Sequence, residues 1–231
     1  MAGANESLRA EFNQWAQDGR GEEMESRHIS IAGQTLARMA LKPGDRVLDL
    51  GCGTGWATRL LALAVAGGQG VAVGQDISEE MIAHARAASR HVENILFVVA
   101  PAEEIPWRDD YFERVLSIES FYCFPDQEAV LRELYRVLIP GGALFLVINL
   151  YKENPYSLRR VKQFKVPVHA RSEAEYEQML RAQGFTGVEI VHVPDLTPVA
   201  EEYSCDWLAN AEELREFKRI GALLLVAHKP E

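Results

Sequence analysis

Cysteine is scarce in this chain. There are three in 231 residues, Cys52, Cys123 and Cys205, and no two lie close enough to form a CxxC pair. An odd, scattered set excludes a disulfide framework and fits a reducing compartment. Long apolar runs are also missing: the longest, Leu60 to Ala66, falls far short of the roughly 18 residues that span a bilayer. The first dozen residues hold no apolar core of a secretory signal, so a cytoplasmic location without stable membrane insertion is expected. Basic blocks are absent as well. Lys and Arg number 24 against 34 Asp and Glu, a net charge of −10, which argues against a broad nucleic-acid footprint. His, Cys, Asp and Glu show no ligand-like clustering, so no metal site is expected.

What is present is the composition of an ordinary globular protein, 48% apolar and 25% charged, with a length that favours one domain. The first forty residues read as helical, with Leu8, Phe12 and Trp15 at helical spacing and a second helix from about Glu25 to Met39. Arg46–Leu50 then reads as a buried strand, followed by Gly51-Cys52-Gly53-Thr54-Gly55 and a helix through Leu61 and Val65. The alternation repeats: a strand from Val71 to Asp76, a helix capped by Ser78, strands at 95–99 and 115–118, and a helix from Pro125-Asp126 through Leu138. Pro140-Gly141-Gly142 stops that helix, and 143–150 is the most apolar strand. The segment from Tyr151 to Arg171, rich in Lys and Arg, breaks the rhythm. A capping box at Ser172–Glu175 starts another helix, and strands at 188–193 and 222–228 flank a polar helical stretch from about Asp206 to Arg219. Strands alternating with helices imply a largely parallel sheet covered on both faces.

A glycine turn between a strand and a helix lets a ligand approach the backbone and meet helix-terminal N–H groups. The turn here carries Gly51, Gly53 and Gly55, but Trp56 stands where a dinucleotide fingerprint needs its third glycine. Asp76, at the end of the next strand, is placed to take both hydroxyls of a ribose. The pattern supports a nucleoside ligand and not a pyrophosphate. Cys52, between two glycines, reads as a small buried filler and not a nucleophile.

Residues 47–55, Asp76-Ile77-Ser78-Glu79-Glu80-Met81, the 102–113 region with Ala102-Glu103-Glu104, and Arg136 to Gly142 together resemble the successive motifs of class I, Rossmann-like S-adenosylmethionine (SAM) dependent methyltransferases, in the type 11, UbiE-like small-molecule branch. The resemblance covers roughly residues 43–150. It implies a three-layer α/β sandwich around a seven-stranded, mostly parallel sheet whose last strand is antiparallel. It also implies SAM as cofactor, with Asp49, Gly51, Cys52, Gly53 and Gly55 toward its methionine part, Asp76 on the ribose, Ile77 and Met81 against the adenine, and Ala102 and Glu103 at the adenine edge. The chain departs from the family at Pro101, where an Asp is common, and at Glu113, where Asp is usual. On this reading residues 1–42 form a helical lid, 43–150 the SAM-binding core and 151–231 a half with acceptor-side inserts.

Transfer of a methyl group from a sulfonium is an in-line displacement that orientation alone accelerates strongly, so a base is needed only for some acceptors. Nucleic-acid branch motifs, an Asn-Pro-Pro-Tyr-like tetrapeptide or a Pro-Cys pair, are absent, and the expected acceptor is a small molecule. It should lie at the carboxyl ends of the fourth and fifth strands, near Glu119, Ser120, Phe121, Tyr122 and Cys123, with Asn149 and Tyr151. Glu119, Tyr122 and His28 are the catalytic candidates, and Trp15, Arg27 and His28 the candidates for a lid. The basic residues of 151–171 suit either a solvated face or an acidic acceptor. A non-catalytic SAM-binding module and a nucleotide-dependent oxidoreductase remain open as other readings, and the sequence leaves the oligomeric state open.

Overall fold

The computed structural model describes residues 2–200 and 207–231, so Cys205 lies outside the described residues. Among them, seven strands form one sheet in the order β3-β2-β1-β4-β5-β7-β6: β1 Arg46–Leu50, β2 Val71–Asp76, β3 Ile95–Val99, β4 Phe112–Ile118, β5 Leu138–Ile148, β6 Thr186–Val193 and β7 Ala222–His228. The first five pair in parallel, and β7 runs antiparallel to both β5 and β6. The central strands are apolar and buried on both faces, as a covered parallel sheet requires.

Seven α-helices among the described residues surround it: α1 Ala2–Gln17, α2 Arg20–Met39, α3 Trp56–Ala64, α4 Glu79–Ala88, α5 Gln127–Val137, α6 Glu173–Ala182 and α7 Ala211–Ile220. One apolar core packs α5 and α6, through Val130, Leu131, Leu134, Tyr176 and Leu180, against the sheet. The other core packs α2 and α3, through Ile31, Met39, Trp56 and Leu61, on the opposite face. The expected caps are in place. Ser78 accepts from the Met81 N–H, Asp126 from that of Ala129, and Ser172 with Glu175 forms the reciprocal capping box. No described helix is long and apolar enough to cross a membrane.

Four local expectations shift. The second helix starts at Arg20, ahead of the expected Glu25. β4 begins at Phe112, where it pairs with Leu138. That pairing ends α5 at Val137 and makes Leu138 the first residue of β5, so Pro140-Gly141-Gly142 lies inside the strand and not in a loop before it. Four of the six basic residues of 151–171 enter separate contacts: Lys152 pairs with Glu175, Arg159 with Glu213 and Arg160 with Glu119, while Arg171 donates to Gln127.

The strand order reverses direction beside β1, with β2 on one side and β4 on the other. A crevice opens outside the carboxyl ends of parallel strands at such a switch point, and the glycine turn leaves β1 into it. Gly55 closes that turn at φ +73°, and a Cβ there would lie 2.7 Å from the Phe97 ring. Gly53 shares the left-handed backbone at φ +51° but faces open space, with the Met81 sulfur 4.0 Å away. Gly55→Ala should therefore destabilise the protein by about 2–4 kcal/mol, and Gly53→Ala by only about 1 kcal/mol, in urea melts. Equal losses would contradict the packing of Gly55 on Phe97.

Candidate active site

The crevice is a mostly apolar cavity enclosing about 1020 Å³ of space, its solvent-open mouth included. Its floor is the glycine turn, from Gly51 to Thr54. One end is walled by Asp76, Ile77, Met81, Ala102 and Glu103, the other by Glu119, Tyr122, Cys123 and Arg160. α1 and the start of α2 form the roof through Leu8, Phe12, Trp15, Met24 and His28.

At the first end the turn is bolted to β2. The N–H groups of Gly51 and Cys52 donate to the Gln75 carbonyl, and the Gly53 N–H donates to Asp76 Oδ2 at 2.9 Å. Asp76 Oδ1 accepts from the Ser78 N–H at 2.9 Å. Burial holds the Asp76 carboxyl above the usual range, opposed by these backbone N–H groups. Gln75 donates to the carbonyls of Pro101 and Glu104, and its own Oε1 is buried without a partner among the described residues. Glu103 accepts from Asn5 of α1 and from the Asp126 N–H. Helix α1 is fastened over this end by Arg9, which donates to the Ile77 carbonyl, and by Asn13, whose Oδ1 accepts from the Ser78 hydroxyl and the Glu80 N–H.

At the other end three side chains and a backbone N–H converge on one carboxylate. Glu119 follows β4 in the left-handed region, φ +57°, a conformation that costs a non-glycine residue energy and is typical of functional positions. There its buried Oε1 accepts from the Asn149 N–H. Its Oε2 lies 3.3 Å from the Tyr122 hydroxyl, 3.6 Å from Arg160 Nη1 and 3.8 Å from His28 Nε2. His28 is itself held by its Nδ1, 2.8 Å from the Met24 carbonyl oxygen. Burial lowers the His28 pKa, with Glu119 opposing, so the ring is neutral at pH 7. Burial raises the Tyr122 hydroxyl and the Cys123 thiol well above their usual ranges.

A model described as a methyltransferase domain matches residues 48–146. A chain of the Haloferax volcanii complex between the Trm112 methyltransferase activator and a methyltransferase superposes with a TM-score of 0.88 at 36% identity, over 96% of this chain and 98% of that one. The chain belongs to the class I SAM-dependent methyltransferases. Among curated relatives of this methyltransferase, the 27-O-demethylrifamycin SV methyltransferase of Amycolatopsis mediterranei is 29% identical over 90% of this chain and 86% of its own length. The UbiE C-methyltransferase of Vibrio campbellii is 38% identical, over 49% of this chain and 44% of its own. The strand order with its antiparallel β7 is the fold of this class, and SAM is the methyl donor.

Several expected site residues of the methyltransferase lie along the cavity: Gly51, Cys52, Gly53, Asp76, Ile77, Met81, Ala102 and Glu103 at one end, and Glu119, Tyr122 and His28 at the other. Others do not. Gly55 packs under the turn on Phe97 and Ala85. Asp49 lies behind the turn, 2% exposed, where it accepts from the Thr58 hydroxyl at 2.6 Å. Tyr151 points into the core and donates to the Gly221 carbonyl, and Arg27 pairs with Glu23 on the outer face of α2. Phe121 packs against Phe124 and Tyr176. Arg160 and the stacked pair Trp15–Phe164 escape a sequence reading as a group, because they meet only through the path of the 151–171 segment. The mixed aromatic and basic composition of that segment is the one signal that points to them.

Burial, reinforced by the nearby Asp76 charge, pushes the Asp49 carboxyl up to about 7, against an ordinary 3.8. A carboxyl whose pKa rises on folding stabilises the protein fully at low pH, and that contribution is lost as pH rises from about 4 through 7. The amide introduced by Asp49→Asn does not titrate. Relative to the parent, this variant should therefore gain stability between pH 4 and pH 8, by at most about 4 kcal/mol, in paired urea titrations. A difference that does not change with pH would refute the buried, protonated state.

Proposed function

We propose that this methyltransferase acts on a small-molecule acceptor, releasing S-adenosylhomocysteine, and that both substrates share the one cavity. The observation that carries this is the position of the Glu119–His28–Tyr122–Arg160 cluster at the opposite end of the cavity from Asp76. The fit to SAM rests on three features. Asp76 uses one lone pair on each oxygen for backbone N–H groups, which leaves acceptors for a ribose diol. Gly53 offers an open cradle, and α3 begins behind Gly55 with no side-chain cap, which suits a carboxylate. Ile77, Met81 and Ala102 give an apolar wall for a base. When bound, SAM supplies an electrophilic methyl group on a sulfonium. The chain's residues orient the acceptor and exclude water from it.

The small-molecule reading is supported by the relatives named above, one acting on a rifamycin and one in quinone biosynthesis, and by the net charge of −10. On this reading residues 1–42 serve as lid, 43–150 as SAM-binding core and 151–231 as the acceptor-side half of one domain. The free, buried thiols of Cys52 and Cys123 support a cytoplasmic site of action. Asp76→Ala should weaken S-adenosylhomocysteine binding at least tenfold, about 1.5–3 kcal/mol, in calorimetry on a protein whose circular dichroism is unchanged. Undiminished affinity, or NAD binding in place of S-adenosylhomocysteine, would refute the assignment.

The Haloferax relative was solved with an activator subunit, and the edge of the sheet supports a similar partner here. Edge strand β3 is Ile-Leu-Phe-Val-Val, with Leu96 55% exposed and Leu63 of α3 76% exposed. The opposite edge, β6, is blunted by Glu189, His192 and a register shift. An added strand would run along β3, where Arg86 already takes the Phe97 carbonyl. Leu96→Lys should abolish co-purification with a co-expressed Trm112-type activator. Co-purification that survives it would clear β3 of this role.

A further inference from the structure

We propose that the acceptor is an acidic hydroxyl, a phenol or enol, deprotonated by His28 with its oxyanion held by Arg160. The inference rests on the proposed division of the cavity into SAM and acceptor ends.

The tautomer of His28 is set by its neighbour. A carbonyl oxygen only accepts, so the 2.8 Å contact with Met24 places the ring proton on Nδ1 and leaves a lone pair on Nε2. Nε2 faces Glu119 Oε2 at 3.8 Å. The two acceptors are too far apart to bond to each other. Oε2 already takes the Tyr122 O–H, whereas Nε2 has no donor among the described residues and is open to an N–H or O–H from a third group.

The charge at this end selects between those donors. Arg160 is 16% exposed, and its guanidinium lies 3.6 Å from Glu119. Its other contact is with the Trp207 ring, and it donates no hydrogen bond among the described residues. A partly buried guanidinium with unspent donors favours a developing oxyanion and disfavours an ammonium. The groups facing His28 are Glu119, Arg160, Tyr122 and, along α2, Arg27. Arg27 is matched by Glu23 outside the cavity, and Glu119 spends Oε1 on the Asn149 N–H. Among the described residues Arg160 is the cation that lines the cavity. Glu119 lies beside it at 3.6 Å, and an oxyanion is the species that the unspent N–H donors of Arg160 would receive. A neutral imidazole suits a hydroxyl of phenolic acidity and is a poor match for an aliphatic alcohol. Shape points the same way. Trp15 stacks on Phe164 at 6.2 Å, and Tyr122 meets the same ring edge-on, a lining suited to a planar acceptor.

The bonds balance without a further reagent. The acceptor O–H breaks and its proton moves to His28 Nε2. The electron pair left on oxygen forms the new O–CH₃ bond as the S–CH₃ bond breaks, its pair returning to sulfur. The imidazolium, steadied by Glu119, gives its proton to water once the products leave.

The test uses 4-nitrophenol as a chromogenic probe with S-adenosylhomocysteine present, so binding and ionisation are read without turnover. The bound probe should ionise at least about one pH unit below the free phenol, and Arg160→Gln should abolish that lowering while leaving S-adenosylhomocysteine affinity unchanged. His28→Gln should cut methylation of phenols by roughly a hundredfold or more and remove the acidic limb of the rate–pH profile. A probe that binds with its free pKa, or faster turnover of cyclohexanol or aniline than of phenols, would overturn the proposal. Loss of S-adenosylhomocysteine binding by the parent protein would overturn instead the reading of the cavity on which it rests.

Discussion

Asp76 is the keystone of this fold's functional edge. Its two carboxylate oxygens accept from Gly53 on the turn after β1 and from Ser78 at the start of α4. Three segments, 51–55, 75–78 and the helix beginning at Glu79, are thereby held at one height above the sheet. Buried charge is stabilised only when its lone pairs are satisfied, and here backbone N–H groups satisfy it. The same satisfaction leaves the outward lone pairs facing the cavity. The side chain that would recognise a nucleoside also holds the walls that surround it.

The opposite end follows a different logic. Its carboxylate stands on a residue in a disfavoured backbone conformation, and its partners arrive from three separate places: α2, the 3₁₀ turn Phe121–Cys123 and the 3₁₀ turn Ser157–Gln163. Only Glu119 and Tyr122 share a local segment, so the arrangement depends on the whole fold for its geometry. That dependence also makes this end adjustable, because substitution in one turn re-aims one group without disturbing Asp76.

This contrast explains what could be read from the sequence. The caps at Ser78, Asp126 and Ser172, the glycine turn and Asp76 are local patterns, each decided by a few neighbouring residues, and each appears where the pattern points. The strands appear in the expected order, with β4 and β5 starting earlier than expected. The placement of Glu119 and Tyr122 follows from topology, since both sit just beyond β4. The orientation of Asp49 does not, because alternation along a short strand buried on both faces fails to say which side chain sees a ligand; Thr58, in the following helix, decides it. Arg160 is hidden among the other basic residues of its segment, and only the path of 151–171 separates it from them. The boundary between α5 and β5 is blurred by Pro140-Gly141-Gly142, which breaks helices but here lies in a strand whose start is fixed by pairing with Phe112.

Helix α1 is tied down by Asn5 on Glu103, Arg9 on the Ile77 carbonyl and Asn13 on Ser78. These anchors belong to the same wall that Asp76 organises, so roof and floor are not independent parts. On the proposed reading of this segment as a lid, release of anything enclosed would require the sixteen-residue helix to give up these anchors. Opening such a molecule would then mean breaking bonds whose own partners, Asn5, Ile77 and Glu103, shape the wall of the cavity.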